Sequence, residues 1–321
     1  MRMDFVETEK ELDWTFLKDD TREYTHIYHD YPARMIPQIS RQVLNILDEK
    51  EGNILFDPYC GSGSTLVEGL LRGLNVIGTD INPLARLISK AKTEYSTLPS
   101  ILGDEIERFV DFTLSPNGKP KIIKKENMDF WFKENSKIGL GYILRYIEGI
   151  SDPNIRDFFR VAFSETIRES SNTRKTEFKL YRYADEKLEK HNPDPFAIMK
   201  KKLYRNYKGY EAFHNRMMES GFSPLSNIYS FNTVEKIPSN RIKKRSVDIV
   251  ITSPPYGDSH TTVAYGQYSR LSSEWLGILR GNVDSMSMGG KRANKNQPFN
   301  CTLLDEAIGQ VKINKPLYLI T

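Results

Sequence analysis

The chain has few of the residues that build disulfide frameworks and metal sites. Its 321 residues include two cysteines, Cys60 and Cys301, and five histidines. Two cysteines are too few for a disulfide framework or a cysteine-based zinc site, and such sparing use is typical of a reducing compartment. His26 and His29 have a spacing that metal ligands can have, but no third ligand is near them in the sequence. We therefore predict no metal site, and a turn before the next helix.

Long apolar runs are also missing. No run approaches the roughly 18 to 20 apolar residues that a membrane span requires, and the first residues, MRMDFVETEKELDW, are acidic, unlike a signal peptide. The sequence therefore predicts a cytoplasmic protein with no membrane contact. Hydrophobic residues make up 39% of the chain, which is enough for a core, and the net charge of +4 permits a polyanionic partner without requiring one.

Strands and helices alternate at both ends of the chain. Apolar residues at helical spacing predict a helix over residues 33–49, followed by strands at 53–57 and 75–80 with a helix between them. Two later runs, 226–234 and 247–255, predict a third and a fourth strand. This rhythm is typical of a Rossmann-like α/β fold, a doubly wound and mainly parallel sheet.

The middle of the chain departs from this rhythm. Residues 98–224 contain four long helical patterns joined by polar linkers, and we interpret them as a helical insertion. The predicted organisation is a cofactor-binding half at 1–97, the insertion, and a catalytic-motif half at 225–321. We expect the aromatic residues of the insertion to lie in its core rather than to stack on bases; they are Trp131, Phe132, Phe158, Phe159 and Phe163.

FDPYCGSGST follows the first strand and predicts a cofactor-binding turn. Gly61 and Gly63 let backbone N–H groups approach a ligand, although a tight turn without a ligand would use the same glycines. Asp80 ends the second strand, where a carboxylate can accept both hydroxyls of a ribose. Leu66 takes the position of a third glycine, so a pyrophosphate is not expected. Cys60 has no evident histidine partner, and a small buried residue is a better interpretation than a nucleophile.

TSPPYG ends the fourth predicted strand. Val247, Ile249, Val250 and Ile251 resemble a fully buried strand of a parallel sheet, and Pro254 ends the ladder because it has no N–H group. In open α/β sheets, ligands bind at the carboxyl ends of the strands.

FDPYCGSGST, TDINPLA and TSPPYG, in this order, resemble the motifs of the S-adenosylmethionine-dependent amino-methyltransferases of DNA, particularly the cytosine-N4 group. The resemblance covers residues 24–97 and 226–280, and it implies that residues 29–38 pack near the methionine end of the cofactor and that Asn232 lies near the adenine. The residues expected to bind S-adenosylmethionine are Asp57, Tyr59, Cys60, Gly61, Gly63, Asp80, Ile81 and Asn232.

The SPPY motif suits methyl transfer to an exocyclic amine. Such an amine is a poor nucleophile, because its lone pair is delocalised into the ring. Acceptors in the plane of its N–H bonds favour the nucleophilic form, and Ser253 offers its hydroxyl oxygen beside a main-chain carbonyl held by Pro254 and Pro255. Tyr256 supplies a face on which a flipped base can stack.

Basic residues alternate with aromatic ones in SSNTRKTEFKLYRY, residues 170–183. Arg174, Lys175, Lys179 and Arg182 are predicted to contact double-stranded DNA, with a solvated helix face as the alternative because acidic residues follow. RIKKR, at 241–245, is a second basic cluster.

We therefore predict a site-specific DNA methyltransferase acting on cytosine N4. The alternatives are adenine N6, an RNA or protein amide substrate, or a non-catalytic DNA-binding subunit. Members of the family continue through further strands, so we expect the sheet to be truncated after the fourth strand and a second polypeptide, or more of the same reading frame, to complete it.

Overall fold

A parallel sheet of four strands forms the framework of the molecule. The computed structural model describes residues 14–47, 49–174, 178–253, 264–279, 281 and 283. The strands are β1 (Ile54–Asp57), β2 (Asn75–Thr79), β3 (Ser226–Tyr229) and β4 (Ile249–Val250), in the order β3-β2-β1-β4. The sheet thus has the Rossmann-like arrangement predicted from the sequence, with β1 and β2 in its centre.

Ten α-helices surround or extend this sheet in the described residues. They are α1 (Pro37–Leu47), α2 (Ser64–Leu71), α3 (Pro83–Thr93), α4 (Pro99–Leu114), α5 (Met128–Trp131), α6 (Glu134–Gly149), α7 (Pro153–Ser170), α8 (Asp185–Lys190), α9 (Pro195–Ser220) and α10 (Tyr265–Trp275). A short 3₁₀ helix, Tyr24–Tyr28, precedes α1.

Three of these helices begin at an acidic or amide side chain followed by proline. Asn82, Asp152 and Asp194 accept hydrogen bonds from backbone N–H groups in the first turns of α3, α7 and α9. The following proline has no N–H group to satisfy and its fixed φ suits the first helical position. The local sequence therefore sets where these helices start.

One face of the sheet packs tightly against α1, α2 and the end of α9. Leu55 and Val76 project from the strands into a cluster with Leu66 and Leu70 of α2. A Cβ atom at Gly69 would lie 2.6 Å from the Leu55 side chain, so glycine allows α2 to approach the strands.

The other face has a thinner cover. Phe56 and Ile77 pack there against Ile242, which lies in the connection between β3 and β4. This connection contains no α-helix.

The helical segment shares a core with the rest of the molecule. Phe159 and Phe163 of α7 belong to the same cluster as Leu84 of α3 and Trp275 of α10. Packing therefore continues across the boundary predicted near residue 97, and the three-part division remains a sequence-based prediction. The insertion aromatics are core residues as predicted: Phe132, Phe158, Phe159 and Phe163 are buried and Trp131 is partly buried.

The fourth strand differs from the prediction. We expected a fully buried strand through Val247, Ile249, Val250 and Ile251, but Val250 is 57% exposed and only Ile249 and Val250 form the strand. The expectation was wrong because β4 is an edge strand in the described part of the sheet, where one face is thinly covered. The third strand is also shorter than predicted and ends at Tyr229.

Candidate cofactor and catalytic site

The carboxyl ends of three neighbouring strands bring the predicted motifs together. Asp57 ends β1, Asp80 follows β2, and Ser253 follows β4. The parallel pairing sets Phe56 of β1 opposite Val250 of β4, and Asp57 opposite Gly78 of β2. Residues that are far apart in the sequence therefore lie at one edge of the sheet, where α/β folds bind ligands.

The glycine turn between β1 and α2 has a fixed backbone shape. Gly61 and Gly63 have φ values of +50° and +77°, in the left-handed region that glycine favours. The Gly63 N–H donates to the Cys60 carbonyl (2.7 Å), and a Cβ atom at Gly63 would lie 2.9 Å from Ser89 Oγ. Only glycine fits this position without displacing α3.

Asp80, which follows β2, contacts the glycine turn through its carboxylate. Its Oδ2 accepts the Gly61 N–H at 3.0 Å and its Oδ1 accepts the Asn82 N–H at 2.7 Å. Burial raises the pKa of Asp80 to about 6, against these backbone hydrogen bonds, which lower it. A carboxylate has about four acceptor positions, so two remain for a ligand after these bonds. Two free acceptor positions match the two hydroxyls of a ribose.

Asp57 lies deeper, behind the turn. It is 3% exposed, and its Oδ1 accepts the Thr252 hydroxyl at 2.7 Å and the Tyr59 N–H at 3.1 Å. Burial raises the pKa of Asp57 to about 6, while the hydrogen bonds from Thr252, Tyr59 and Thr65 lower it. This side chain joins β1 to the exit of β4.

Two serines of the turn have buried hydroxyls without hydrogen-bond partners among the described residues. They are Ser62 and Ser64, which are 3% and 4% exposed. Buried polar groups without a partner are rare in native proteins, and a bound ligand is one common explanation. Together with the open acceptor positions of Asp80, these hydroxyls give the turn the polar groups that a nucleoside cofactor requires.

Cys60 is a buried thiol rather than a nucleophile. It is 5% exposed, and its Sγ lies 3.8 Å from Ser89 Oγ. Burial raises the pKa of this thiol well above its usual value, so it stays protonated at neutral pH. Cys60 therefore contributes to the site through its backbone, whose N–H donates to the Thr79 carbonyl.

The remaining predicted cofactor residues lie around the turn. Tyr59 and Ile81 are partly exposed and flank Asp57 and Asp80 along the chain. Asn232 lies in the loop after β3, where its Oδ1 accepts the Val234 N–H and its Nδ2 donates to Glu235. Its neighbour Thr233 donates to the Pro58 carbonyl at 3.5 Å, which brings this loop next to the turn.

A second set of residues at this edge was not predicted individually. Tyr31 approaches Gly61, since a Cβ atom there would lie 3.8 Å from its ring. Asn82 donates from Nδ2 to the Tyr31 hydroxyl and to Ser269 Oγ, and the Tyr31 ring stacks on Tyr265. Tyr31, within residues 29–38, thus lies next to the glycine turn; the packing of this segment against the methionine end of the cofactor stays a prediction. The Asn-Pro pair in the sequence is a signal for the start of α3 at Asn82. Nothing near Asn82 in the sequence indicated that its side chain also contacts α10.

The two histidines considered as metal ligands have other partners. His26 Nε2 lies 3.0 Å from Glu68 Oε1, and His29 Nε2 lies 3.0 Å from Ser164 Oγ. Burial lowers the pKa of His26 to about 4. Glu68 also accepts from Arg41, and the hydrogen bonds from His26 and Arg41 outweigh burial and lower its pKa. This buried network attaches the segment before α1 to α2, where the sequence predicted only a turn.

The basic loop is the segment 170–183 that the sequence predicts to contact DNA, and its described residues lie against α10, the helix that follows the SPPY motif. An isolated antiparallel bridge between Thr173 and Arg182 closes this loop. The Phe178 ring lies 6.2 Å from that of Tyr268, and the Leu180 N–H donates to Gln267. The loop therefore contacts α10 directly.

The four predicted DNA-contacting cations differ in their surroundings. Arg174 is exposed with its guanidinium 5.9 Å from the Tyr181 ring, and Lys179 is partly exposed. Arg182 donates to the Phe130 carbonyl and to Asp185 and lies 4.8 Å from the Phe130 ring. Lys175 lies outside the described residues.

The catalytic motif is described only at its first residue. Ser253 is exposed at the exit of β4, whereas Pro254, Pro255 and Tyr256 lie outside the described residues. In the part of the chain that the structure describes, no group of three or more metal-ligating side chains comes together. Across the same residues, no helix combines the length and apolarity that crossing a membrane requires.

Comparisons with known proteins agree with this site. A family model described as RMKL-like, methyltransferase domain matches residues 22–125, which include the glycine turn and Asp80. The Type II methyltransferase M.MvaI of Kocuria varians is 44% identical over 304 residues, covering 90% of this chain and 66% of that protein. The chain belongs to the S-adenosylmethionine-dependent methyltransferases.

Other similar methyltransferases match shorter stretches. The Type II methyltransferase M.MjaII of Methanocaldococcus jannaschii is 33% identical over 110 residues, or 32% of this chain and 21% of that protein. A tRNA (guanine(10)-N2)-dimethyltransferase of the same organism is 41% identical over 61 residues, or 19% of this chain and 16% of that protein. The chain thus spans about two thirds or less of the relatives' lengths. No solved structure matches it significantly.

Methyltransferases of this kind use S-adenosylmethionine, and the residues at the carboxyl edge fit this cofactor. Asp80 keeps two acceptor positions open beside glycines that leave room for a ligand. Ser62 and Ser64 add hydroxyls that lack an internal partner in the described structure. The chemistry of these donors and acceptors suits a ribose and the polar end of an amino acid.

Proposed function

We propose that this methyltransferase modifies DNA at specific sites, transferring a methyl group to the exocyclic amine of a flipped cytosine at N4. The observation that carries the proposal is that β4 ends beside β1, where Thr252, the residue before Ser253, donates to Asp57 at the start of the glycine turn. The similarity to a Type II methyltransferase across 90% of the chain supports a DNA substrate.

The cofactor is held, in this proposal, by the turn from Asp57 to Ser64 and by the end of β2. Asp80 accepts the ribose hydroxyls, and the backbone around Cys60, Gly61 and Gly63 leaves room for the remainder. Asn232 lies near the adenine, as the resemblance implies, and Tyr59 and Ile81 complete the set of residues proposed to bind the cofactor. When bound, S-adenosylmethionine would supply the methyl group of its sulfonium: the S–C bond would break as the N–C bond forms, S-adenosylhomocysteine would leave, and the amine would release one proton to solvent.

Ser253 acts on the target amine rather than on the cofactor. Its hydroxyl oxygen accepts a hydrogen bond from the amine and favours the form in which the nitrogen lone pair is localised. The backbone carbonyl before Pro255 is the second acceptor, and Tyr256 stacks on the flipped base. Because this chemistry needs no group with a shifted pKa, positioning supplies much of the rate enhancement.

The basic loop is the proposed contact with the DNA backbone. It is attached through Leu180 and Phe178 to α10, the helix that follows the catalytic motif in the sequence, and its exposed cations Arg174 and Lys179 are the proposed phosphate contacts. Lys175 and Arg182 complete the set, and the alternating aromatic residues suit stacking on exposed bases. A cytoplasmic location, where DNA is accessible, is part of the same proposal.

The exposed edge of β4 suggests how the sheet is extended. In the described residues β4 pairs only with β1, and Val250 is 57% exposed. A strand edge of this kind is open to pairing with another strand. The proposal is that a strand from a second polypeptide, or from chain outside the described residues, pairs with β4.

A second candidate function is methylation of guanine N2 in RNA. The similarity to a tRNA (guanine(10)-N2)-dimethyltransferase favours it, although over only 61 residues. Guanine N2 is also a conjugated exocyclic amine, so the same site chemistry would serve.

Product analysis distinguishes these functions. Purified protein is incubated with S-adenosylmethionine and with either duplex DNA or tRNA, and the nucleosides are separated by mass spectrometry after digestion. We expect N4-methylcytosine from DNA. Detection of N6-methyladenine in DNA would show that the target base is adenine instead of cytosine. Detection of N2-methylguanine in tRNA would favour the second candidate function, and methyl transfer to neither nucleic acid would contradict both.

The Ser253→Ala variant tests the residue assignment in the same assay. The rate should fall by about 10² to 10³, as expected for the loss of one positioned polar group, while cofactor affinity is unchanged. Ser246→Ala is the matched control, because this serine lies before β4 and donates to the Lys243 carbonyl. Equal rates for Ser253→Ala and wild type would contradict the assignment.

A further inference from the structure

Thr252 is the last residue before the proposed catalytic serine, and its side chain bonds across the sheet. The backbone pairing of β4 with β1 covers Ile249 and Val250, and the Ile251 N–H then donates to the Phe56 carbonyl at 3.3 Å. Beyond Ile251, the described contact between the two strand exits is the hydrogen bond from Thr252 Oγ1 to Asp57 Oδ1, at 2.7 Å.

The acceptor of this bond also holds the cofactor turn. Asp57 Oδ1 accepts the Tyr59 N–H at 3.1 Å, so a single carboxylate oxygen contacts both the turn and the residue before Ser253. Asp57 is 3% exposed, and solvent is therefore a poor replacement for either donor. If Thr252 moved, Ser253 would move relative to the turn.

We infer that Thr252 is a positioning residue, whose hydroxyl fixes the distance between Ser253 and the cofactor turn through Asp57. The inference rests on the proposed methyl transfer. It predicts that loss of the hydroxyl slows the chemical step, because displacement of a reacting group by about 1 Å can cost about 10²-fold in rate. Cofactor binding should be retained, since Asp80 and the glycines do not depend on this bond.

The experiment compares two substitutions at one position. Thr252→Val keeps the shape and removes the donor, whereas Thr252→Ser keeps the donor. We expect kcat to fall about 10- to 100-fold in the valine variant, with the cofactor Kd within about twofold of wild type, and to stay within about threefold in the serine variant. Thr233→Val is the matched control, because this threonine makes only a 3.5 Å contact with the Pro58 carbonyl on the opposite side of the turn.

A titration of the Asp57 carboxyl provides a readout that needs no turnover. The groups facing this carboxyl are the Thr252 hydroxyl after β4, the Tyr59 N–H from the turn, the Thr65 hydroxyl from α2 and the Asp80 carboxyl after β2. The Thr252 hydrogen bond lowers the pKa of Asp57, so its loss should raise that pKa further above about 6. Carbon-13 chemical shifts of labelled aspartate would measure the change, and Thr233→Val should leave it unaltered.

Each result has a separate meaning. Wild-type kcat in Thr252→Val, or an unchanged Asp57 pKa, would overturn the positioning role. A similar loss of kcat in the serine and valine variants would also overturn it, since the effect would then be one of packing. A wild-type protein that methylates no nucleic acid would instead contradict the proposed function, while the carboxyl titration would still measure the bond.

Discussion

The glycine turn and the basic loop were both predicted to bind ligands, but the structure gives them different surroundings. At the turn, Asp80 keeps acceptor positions open, and the buried hydroxyls of Ser62 and Ser64 have no partner in the described residues. In the loop, Arg182 already donates to Phe130 and Asp185. The turn therefore has polar groups that lack internal partners, whereas part of the loop's charge stabilises the loop itself.

This difference shows that a glycine motif and a basic composition carry different kinds of structural information. A glycine motif between a strand and a helix specifies backbone geometry, and that geometry fixes which polar groups face a ligand. A basic composition specifies only charge, and surface charges form local pairs whose contribution to stability is small. We thus expect substitutions at the turn to have larger effects than substitutions in the loop.

The largest effect should come from Asp80. If Asp80 accepts the ribose hydroxyls as proposed, Asp80→Ala removes two charge-assisted hydrogen bonds and should weaken S-adenosylmethionine binding by about 2 to 4 kcal/mol. Calorimetric titration measures the change. Asp111→Ala, at an exposed position on α4, is the control and should bind like wild type. Unchanged affinity in Asp80→Ala would show that Asp80 does not bind the ribose.

Alanine substitutions at two glycines with positive φ distinguish the cost of backbone strain from the cost of a steric clash. Gly52 and Gly63 have φ values of +82° and +77°, but a Cβ atom at Gly52 would meet nothing within 4 Å, whereas at Gly63 it would meet Ser89. Gly52→Ala should cost about 1 to 2 kcal/mol from the left-handed backbone, and Gly63→Ala about 1 to 3 kcal/mol more. Urea unfolding of both variants measures the loss in free energy of unfolding. Equal losses would show that α3 moves away at Ser89 and relieves the clash.

The pH dependence of stability should reveal the buried carboxylate at Asp57. Burial raises its pKa from 3.8 to about 6, so the folded chain holds this proton at pH values where the unfolded chain has lost it. The stabilisation is present below the unfolded pKa and is lost as the pH rises through about 6.

Comparison with Asp57→Asn isolates this contribution from other titrating groups. Relative to that variant, wild type should lose about 1 kcal/mol of unfolding free energy between about pH 5 and about pH 8. Urea unfolding at the two pH values measures the difference. A constant difference between the two proteins would mean that Asp57 titrates normally.

The basic loop should give the smallest effects. Replacing Arg174 and Lys179 with glutamine should weaken duplex binding and lower its salt slope by up to about 0.9 for each lost phosphate contact. Arg182→Gln should lower the slope less, because its guanidinium already has partners. Fluorescence anisotropy over a range of salt concentrations measures the slopes, and slopes equal to that of wild type would make the loop a solvated surface.

The central strands and long helices could be predicted because their signals are local. β1, β2 and the helix starts at Asp152 and Asp194 follow from apolar runs and capping residues next to proline. The contacts that join the site could not be predicted. Thr252 and Asp57 are separated by 195 positions in the chain, and Asn82 reaches Ser269 only because α10 packs beside α3. The exposure of Val250 likewise depends on which elements cover the sheet.

Amide hydrogen exchange tests whether the carboxyl edge of the sheet binds the cofactor independently of the basic loop. Exchange is measured first with cofactor and then with duplex DNA added. Saturating S-adenosylmethionine should slow exchange in peptides covering residues 57–66 and 78–84 and leave residues 170–183 unchanged. Adding duplex should then slow exchange in the loop. If calorimetry shows that the cofactor binds but exchange slows in neither 57–66 nor 78–84, the cofactor binds elsewhere, which would contradict the proposed site.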